Sequence, residues 1–192
     1  MPIALVVRLV FWLWFAAAVF AGQQLVLQRL PPVAVPGLVC GLTALLLLNY
    51  FRVAALRAWV DALDLRTLVL LHVTRFVGAY FLFLYQRGEL PHDFAVPGGV
   101  GDIVVATFAL PVAFAPWDAA FRRRVTTIWN VVGFVDILLV AATAARLNFA
   151  DPSQMRALTR LPLSLLPMLL VPLIIASHVV IFVRLAREQR AA

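Results

Sequence analysis

The chain has 192 residues, of which 64% are hydrophobic and 13% charged, and its mean hydropathy is +0.99. A soluble domain is nearer half apolar and a quarter charged, so this composition excludes a water-soluble fold and predicts a polytopic α-helical membrane protein. The net charge of +7 comes from 16 basic residues, all arginine, at predicted helix ends rather than in one patch, which argues against nucleic acid as a partner.

The N-terminal apolar run is interpreted as a retained first span rather than a signal peptide. Arg8 is its only early charge, and the small residues Ala16 to Ala18 lie inside the run instead of after it. Hydropathy then predicts an all-α bundle of six transmembrane helices that forms a single domain over residues 1–192. The predicted spans are residues 3–27, 33–51, 65–86, 100–117, 125–147 and 161–185.

The connections between the spans differ in character. Residues 52–66 space their apolar side chains helically and are expected to lie along the membrane surface. Residues 87–99 form the most polar and turn-rich stretch, and a short surface helix is predicted within residues 148–160.

Six spans place both termini on one side of the bilayer. That side collects nine arginines and the other side five. The positive-inside rule therefore predicts cytoplasmic N- and C-termini in a bacterial cytoplasmic membrane. The nine are Arg52, Arg57, Arg66, Arg122, Arg123, Arg124, Arg184, Arg187 and Arg190; the five are Arg29, Arg87, Arg146, Arg156 and Arg160.

Three connections share a Leu-Pro followed by a second proline, which suggests three helical hairpins in repetition. They read RLPPVAVPG from Arg29, ELPHDFAVPG from Glu89 and RLPLSLLPM from Arg160. Parallel repeats occur in transporters, whereas the alternative is that these common residues recur at helix starts by composition alone.

Polar residues at membrane depth mark the interior. At about 1.5 Å of rise per residue, His72, Asn130 and His178 lie roughly 9 Å from the cytoplasmic edge. Arg75 lies roughly 13 Å deep and Asp136 roughly 18 Å deep. Because buried charges are expensive unless paired, we predict that Arg75 and Asp136 form an ion pair. The pair either fixes the packing of two spans or belongs to a proton or anion relay or a polar ligand cavity.

The two histidines allow further interpretations. Histidines at equal depth on different spans are able to ligate haem b axially, to bind a quinone, or to hold a metal with Asp or Asn. The alternative is that they form hydrogen bonds between helices. The sequence leaves any metal or cofactor unknown.

Polar residues also gather on the predicted outer side. Glu89, His92, Asp93 and Asp102 are candidates for an entry vestibule or a cation site. For Asp102 the alternative is a cap in the first turn of the fourth span, because an acidic group is favoured there. The chain shows no hydrolase signature, so we predict no catalytic residues and regard an enzyme as the less favoured class.

A series of short motifs runs through the third to sixth spans and their connections. The motifs are RxVG at Arg75, GELP at Gly88, FA at Phe94, GxGD at Gly99, WNxxGxxD at Trp129 and VPL with a later His at Val171 and His178. Together they resemble a family of small bacterial membrane proteins without an assigned activity. The resemblance covers roughly residues 70–185 and implies no activity or site residue.

Three functions stay open from the sequence. The favoured one is binding or transport of a proton, an anion or a small polar solute through the interior. The alternatives are a redox module with haem b or quinone on His72 and His178, and a structural or assembly subunit of a larger membrane complex. The expected partners are the lipid bilayer and, laterally, a second copy of the chain or other membrane proteins.

Overall fold

The computed structural model describes residues 2–191, with side chains up to residue 190. Within that range all regular secondary structure is helical, as predicted, and six segments are long and apolar enough to cross a membrane. Each of them overlaps one predicted span. The six are Ile3–Gln23, Ala34–Arg52, Leu65–Gln86, His92–Phe114, Ala119–Ala150 and Leu166–Arg190.

Some of these segments are not uniform α-helices. Tighter 3₁₀ turns occupy Val26–Arg29, His72–Val77 and Pro152–Thr159, and a wider π-helical stretch occupies Leu166–Leu170. The α-helices are α1 (Ile3–Gln23), α2 (Ala34–Arg52), α3 (Ala54–Ala62), α4 (Leu65–Leu71), α5 (Gly78–Gln86), α6 (His92–Phe114), α7 (Ala119–Ala150) and α8 (Val171–Ala191).

Both helices predicted in the connections are present. The short α3 lies within the charged connector after α2, and its Asp61 carboxylate accepts a hydrogen bond from the Tyr50 hydroxyl at 2.8 Å. Asp151 directly follows α7 and caps the next 3₁₀ helix, because its carboxylate accepts from the hydroxyl and the backbone N–H of Ser153. These two hydrogen bonds lower the pKa of Asp151.

The start of α6 corrects the prediction for the fourth span. We expected a loop up to Gly99, but α6 begins at His92, directly after the extended residue Pro91. A proline and two glycines in the first turns would weaken a helix in water. Here packing overrides that preference, since a Cβ on Gly99 would lie only 2.7 Å from the Gly78 carbonyl oxygen.

The AVPG motifs that suggested a repeat both lie near helix starts. The first begins α2 at Ala34, and the second, from Ala95, lies in the first two turns of α6. The repetition of three hairpins, and the organisation as a single domain, stay predictions.

The described chain divides into two compact units. The first comprises residues 2–62 and Ala144–Leu173, and its core includes Ala18, Leu27 and Met168. Pro172 has no N–H to donate to the carbonyl of Met168 four residues earlier, and the Trp14 indole donates to that carbonyl at 2.9 Å. A side chain from α1 thereby satisfies a backbone group next to a proline.

The second unit comprises Leu63–Thr143 and residues 174–191. In it, α6 packs along α4, the 3₁₀ turns and α5. All of the interior polar residues predicted from the sequence belong to this unit. Its buried apolar cluster contains Val69, Val105, Ala109, Val112, Ala113, Trp129, Ile181 and Leu185.

Candidate functional site

The site is organised around an interruption in the third membrane-length segment. Between α4 and α5 the backbone tightens into 3₁₀ turns from His72 to Val77. With three residues per turn, side chains at positions i and i+3 lie on the same face. His72 and Arg75 therefore point together into the second unit, where their exposed fractions are 0% and 1%.

Arg75 forms hydrogen bonds through all three of its side-chain nitrogens. Nε donates to Oδ1 of Asp102 at 2.6 Å, and Nη1 donates to the backbone carbonyl of Gly133 at 2.9 Å. Nη2 donates to Oδ2 of Asp136 in a short ion pair. One guanidinium thus joins α6 and α7 through charge-assisted hydrogen bonds. We call Arg75, Asp102 and Asp136 the charge cluster.

The predicted ion pair between Arg75 and Asp136 is confirmed, but the prediction for Asp102 was wrong. Because α6 begins at His92, Asp102 lies in its third turn, where it cannot cap the helix. Its side chain is 5% exposed and faces Arg75 rather than an outer vestibule. The sequence placed it incorrectly because depth was counted from a helix start eight residues too late.

Glycines allow the helices to approach the charge cluster. A Cβ on Gly78 would overlap the Gly99 carbonyl oxygen, so α5 and α6 touch through their backbones there. A Cβ on Gly101 would overlap Oδ1 of Asp136, so this carboxylate lies directly over the backbone of α6. Small residues at these points set the distances that the ion pairs need.

The two interior histidines lie side by side. The ring centres of His72 and His178 are 4.2 Å apart, and both side chains are buried. Trp129 packs its ring edge-on against His72 at 5.0 Å, and its indole donates to the Val105 carbonyl at 3.0 Å. The equal depth predicted for the two histidines is therefore accompanied by direct contact.

Hydrogen bonds hold both histidines in place. Nδ1 of His178 lies 2.8 Å from Oδ1 of Asn130, whose amide donates to the His178 backbone carbonyl at 3.1 Å. Nε2 of His72 lies 3.1 Å from the hydroxyl of Ser177. The sequence identified Asn130 as a member of this layer but missed Ser177, although Ser177 directly precedes His178.

The histidine pair does not fit an axial haem in this structure. An iron between two imidazoles needs a metal–nitrogen bond of about 2 Å on each side, which separates the ligating nitrogens by about 4 Å and the ring centres by more. The observed 4.2 Å between ring centres leaves no room for a porphyrin. Among the described residues, no group of three or more His, Cys, Asp or Glu is arranged to hold a metal ion.

The other outer candidates lie apart from the charge cluster and are exposed. Glu89 forms an ion pair with Arg87 at 2.7 Å, and His92 lies 3.6 Å from Asp93. These are surface pairs of the loop before α6 and its first turn. Asp102 pairs with Arg75 and does not join Glu89, His92 and Asp93 in one group.

Comparison with known proteins places the chain in a family. A family model described as Domain of unknown function (DUF8737) matches residues 32–186, so the chain belongs to that family. The match contains all residues of the charge cluster and the histidine pair, and it agrees with the resemblance to a family without an assigned activity. No curated protein and no solved structure matches the chain.

Proposed function

We propose that this member of the DUF8737 family is an integral protein of the bacterial cytoplasmic membrane that binds a proton in its charge cluster and carries it across the bilayer. Six apolar segments of sufficient length support the membrane location. The excess of arginines on the side of the termini supports cytoplasmic N- and C-termini.

The charge balance of the cluster is the observation that carries the proposal. One guanidinium faces two carboxylates, so the cluster has a formal charge of −1 when both aspartates are ionised. An uncompensated charge in the interior of a membrane protein is expensive. A single proton bound to the cluster would make it neutral, which favours proton binding at this place.

The same contacts argue against an anion as the ligand. An anion would need donors on Arg75, but three of its five N–H groups already donate to Asp102, Gly133 and Asp136. The two carboxylates would also repel a third negative group at this place. The charge cluster therefore favours a cation as its ligand. A proton is the smallest cation and needs no cavity.

The two carboxylates differ in access. The Asp136 side chain is 21% exposed, whereas that of Asp102 is 5% exposed. We therefore assign to Asp136 the exchange of the proton with the surroundings of the charge cluster. Asp102 is the carboxylate that lies deeper in the protein. Arg75 contacts both, so it holds the two carboxylates within reach of one proton.

Proton flux into liposomes tests this function. Purified protein is reconstituted around a pH-sensitive dye, and a potassium diffusion potential drives uptake. We expect the wild type to acidify the lumen and Asp136→Asn and Asp102→Asn to lose this flux. Asp118→Asn is the matched control, because Asp118 is an exposed helix cap and asparagine caps equally well. No flux above that of empty liposomes would overturn the transport function.

A further inference from the structure

An apolar groove runs between α6 and α7 on the surface of the second unit. Its volume is about 360 Å³, which is within the range of small-molecule sites. Val105, Val112 and Trp129 form its floor and are buried, whereas Phe108 and Ile128 at its rims are more than half exposed. The groove is therefore open along its side, toward the space that a bilayer would fill.

The lining of the groove favours a hydrocarbon chain as the occupant. All eight lining residues are apolar, and Trp129 alone among them has a polar group in its side chain. Its indole already donates to the Val105 carbonyl at 3.0 Å. A polar ligand would find no side-chain partner in the groove and would lose its hydrogen bonds there. The acyl chain of a lipid has no hydrogen bonds to lose.

The groove is about as long as one half of a bilayer is thick, and it begins beside the connection between α6 and α7. From Val112 to Val104, α6 rises about 12 Å. From Val125 to Val132, α7 rises about 10 Å. The hydrocarbon core of a bilayer is about 30 Å thick, so one leaflet supplies about 15 Å. An acyl chain in the groove thus belongs to a lipid whose headgroup lies at the connection.

Three consecutive arginines lie at this end of the groove, namely Arg122, Arg123 and Arg124. Arg122 precedes the groove residue Val125 by three positions. Arg124 precedes the groove residue Ile128 by four positions. Residues three and four apart are neighbours on a helix surface, so these two arginines lie one turn above the groove lining. A positive charge is therefore placed where the headgroup of the lipid would be.

Both of these arginines have donors available for an anion. Nη2 of Arg122 donates to the carbonyls of Ala115 and Trp117 at 3.3 and 3.2 Å, which holds the side chain beside the connection. Its other two nitrogens make no hydrogen bond with the described residues. The exposed Arg124 has neither an ion pair nor a side-chain hydrogen bond within the described chain. From Asp118 to Arg124 the segment contains three arginines and one aspartate, so its formal charge is +2.

We propose that the groove, Arg122 and Arg124 together bind an anionic phospholipid of the cytoplasmic leaflet. One acyl chain would lie in the groove, and the two guanidinium groups would donate to the phosphate. A lipid with a choline headgroup would bind less tightly, because its own positive charge is repelled by the arginines. The proposal goes beyond proton binding in the charge cluster and uses none of its residues. It rests on the membrane location alone.

Native mass spectrometry of the protein in detergent tests the selection of the headgroup. Dioleoyl phosphatidylglycerol and dioleoyl phosphatidylcholine are added separately, since they share their acyl chains and differ in net charge. We expect phosphatidylglycerol to bind at least about fivefold more tightly, which is the effect of one arginine near an anionic headgroup. Equal affinities would overturn the proposal. Dimers of the chain that exclude the lipid would also overturn it, because the groove would then hold a second copy.

Two arginine variants distinguish a site from diffuse positive charge. Arg124→Gln should weaken the binding of phosphatidylglycerol about fivefold and leave that of phosphatidylcholine unchanged. Arg123→Gln is the matched control, because Arg123 lies one turn before Thr126 and Thr127, which are outside the groove lining. It should keep an affinity close to that of the wild type. The two variants have the same net charge, so equal losses would mean that charge alone attracts the lipid and would overturn the site.

Photolabelling in bilayers locates the acyl chain. Phosphatidylglycerol with a diazirine on one acyl chain is reconstituted with the protein, and the labelled residues are identified by mass spectrometry. We expect more label on Val132 than on Val131, which is 46% exposed at the same depth but lies outside the groove. The same diazirine on phosphatidylcholine should label both valines alike. Equal labelling of the two by phosphatidylglycerol would overturn the proposal. Because proton flux is not measured, these results are independent of the function proposed for the charge cluster.

Discussion

Arg75 and Asp102 are 27 residues apart in the sequence, and their side chains meet at 2.6 Å in the interior of the second unit. With Asp136 they form a cluster in which two carboxylates share one guanidinium. This arrangement makes the stability of the protein sensitive to any change that leaves one of the charges unpaired.

Removing the guanidinium should destabilise the protein strongly. Arg75→Gln would leave two carboxylates without a counter-charge, and breaking a buried pair costs about 3–5 kcal/mol. Thermal unfolding in detergent measures the effect. Arg87→Gln is the control, since Arg87 forms an exposed pair with Glu89 and should change stability by no more than about 1 kcal/mol. Equal melting temperatures for the two variants would contradict the role of Arg75.

The three members of the cluster should also act as one unit. In double-mutant cycles, Arg75→Gln combined with Asp136→Asn or with Asp102→Asn should be less destabilising than the sum of the single effects. The coupling expected for residues in one ion-pair network is about 0.5–3 kcal/mol. Unfolding free energies of the four variants in each cycle give this value. If the changes in unfolding free energy are additive, the ion pairs contribute no interaction energy to stability.

The backbone contact between α5 and α6 predicts a difference between two glycines. Gly78→Ala places a methyl group against the carbonyl of Gly99, and such overpacking typically costs about 1–3 kcal/mol. Gly41→Ala in α2 meets nothing within 4 Å, so it should stabilise the helix by up to about 1 kcal/mol. Melting temperatures should move in opposite directions. A neutral Gly78→Ala would show that the close approach is not required.

A further prediction concerns the first unit and the Met168 carbonyl, which lies four residues before Pro172. Trp14→Phe removes the indole that donates to the Met168 carbonyl, and the unpaired carbonyl should cost about 1–3 kcal/mol. Trp12→Phe is the matched control, because Trp12 is 62% exposed. Thermal unfolding distinguishes the two. If both variants melt alike, another group satisfies the carbonyl.

The depth of a polar residue along its helix could be predicted from the sequence. The direction in which its side chain points around the helix axis could not. Counting residues from the charged ends placed Arg75 near Asp136 and His72 level with His178, and the structure brings both pairs into contact. The contacts with Ser177 and Trp129 depend on rotation about the helix axes, which packing decides. Hydropathy also does not indicate the 3₁₀ turns at His72–Val77, because an apolar segment has the same hydropathy whether it forms an α-helix or a 3₁₀ helix.

Asp102 shows how a local rule misled the prediction. Pro97, Gly98 and Gly99 are typical of a loop, and a loop there would have made Asp102 a cap. Contact with Gly78 and Val140 stabilises these residues as helix instead, and the acidic side chain moves to the third turn. Residues distant in the sequence, one before and one after this segment, thus decide the role of Asp102.

Infrared difference spectroscopy on protein in lipid bilayers tests the central claim most directly, namely that the charge cluster binds one proton. Lowering the pH should produce the carbonyl band of one buried carboxylic acid per chain, at higher frequency than the bands of solvated acids. Asp136→Asn or Asp102→Asn should remove this band, and Asp118→Asn should leave it. If no such band forms while the protein stays folded, or if both cluster variants retain it, the charge cluster does not bind a proton.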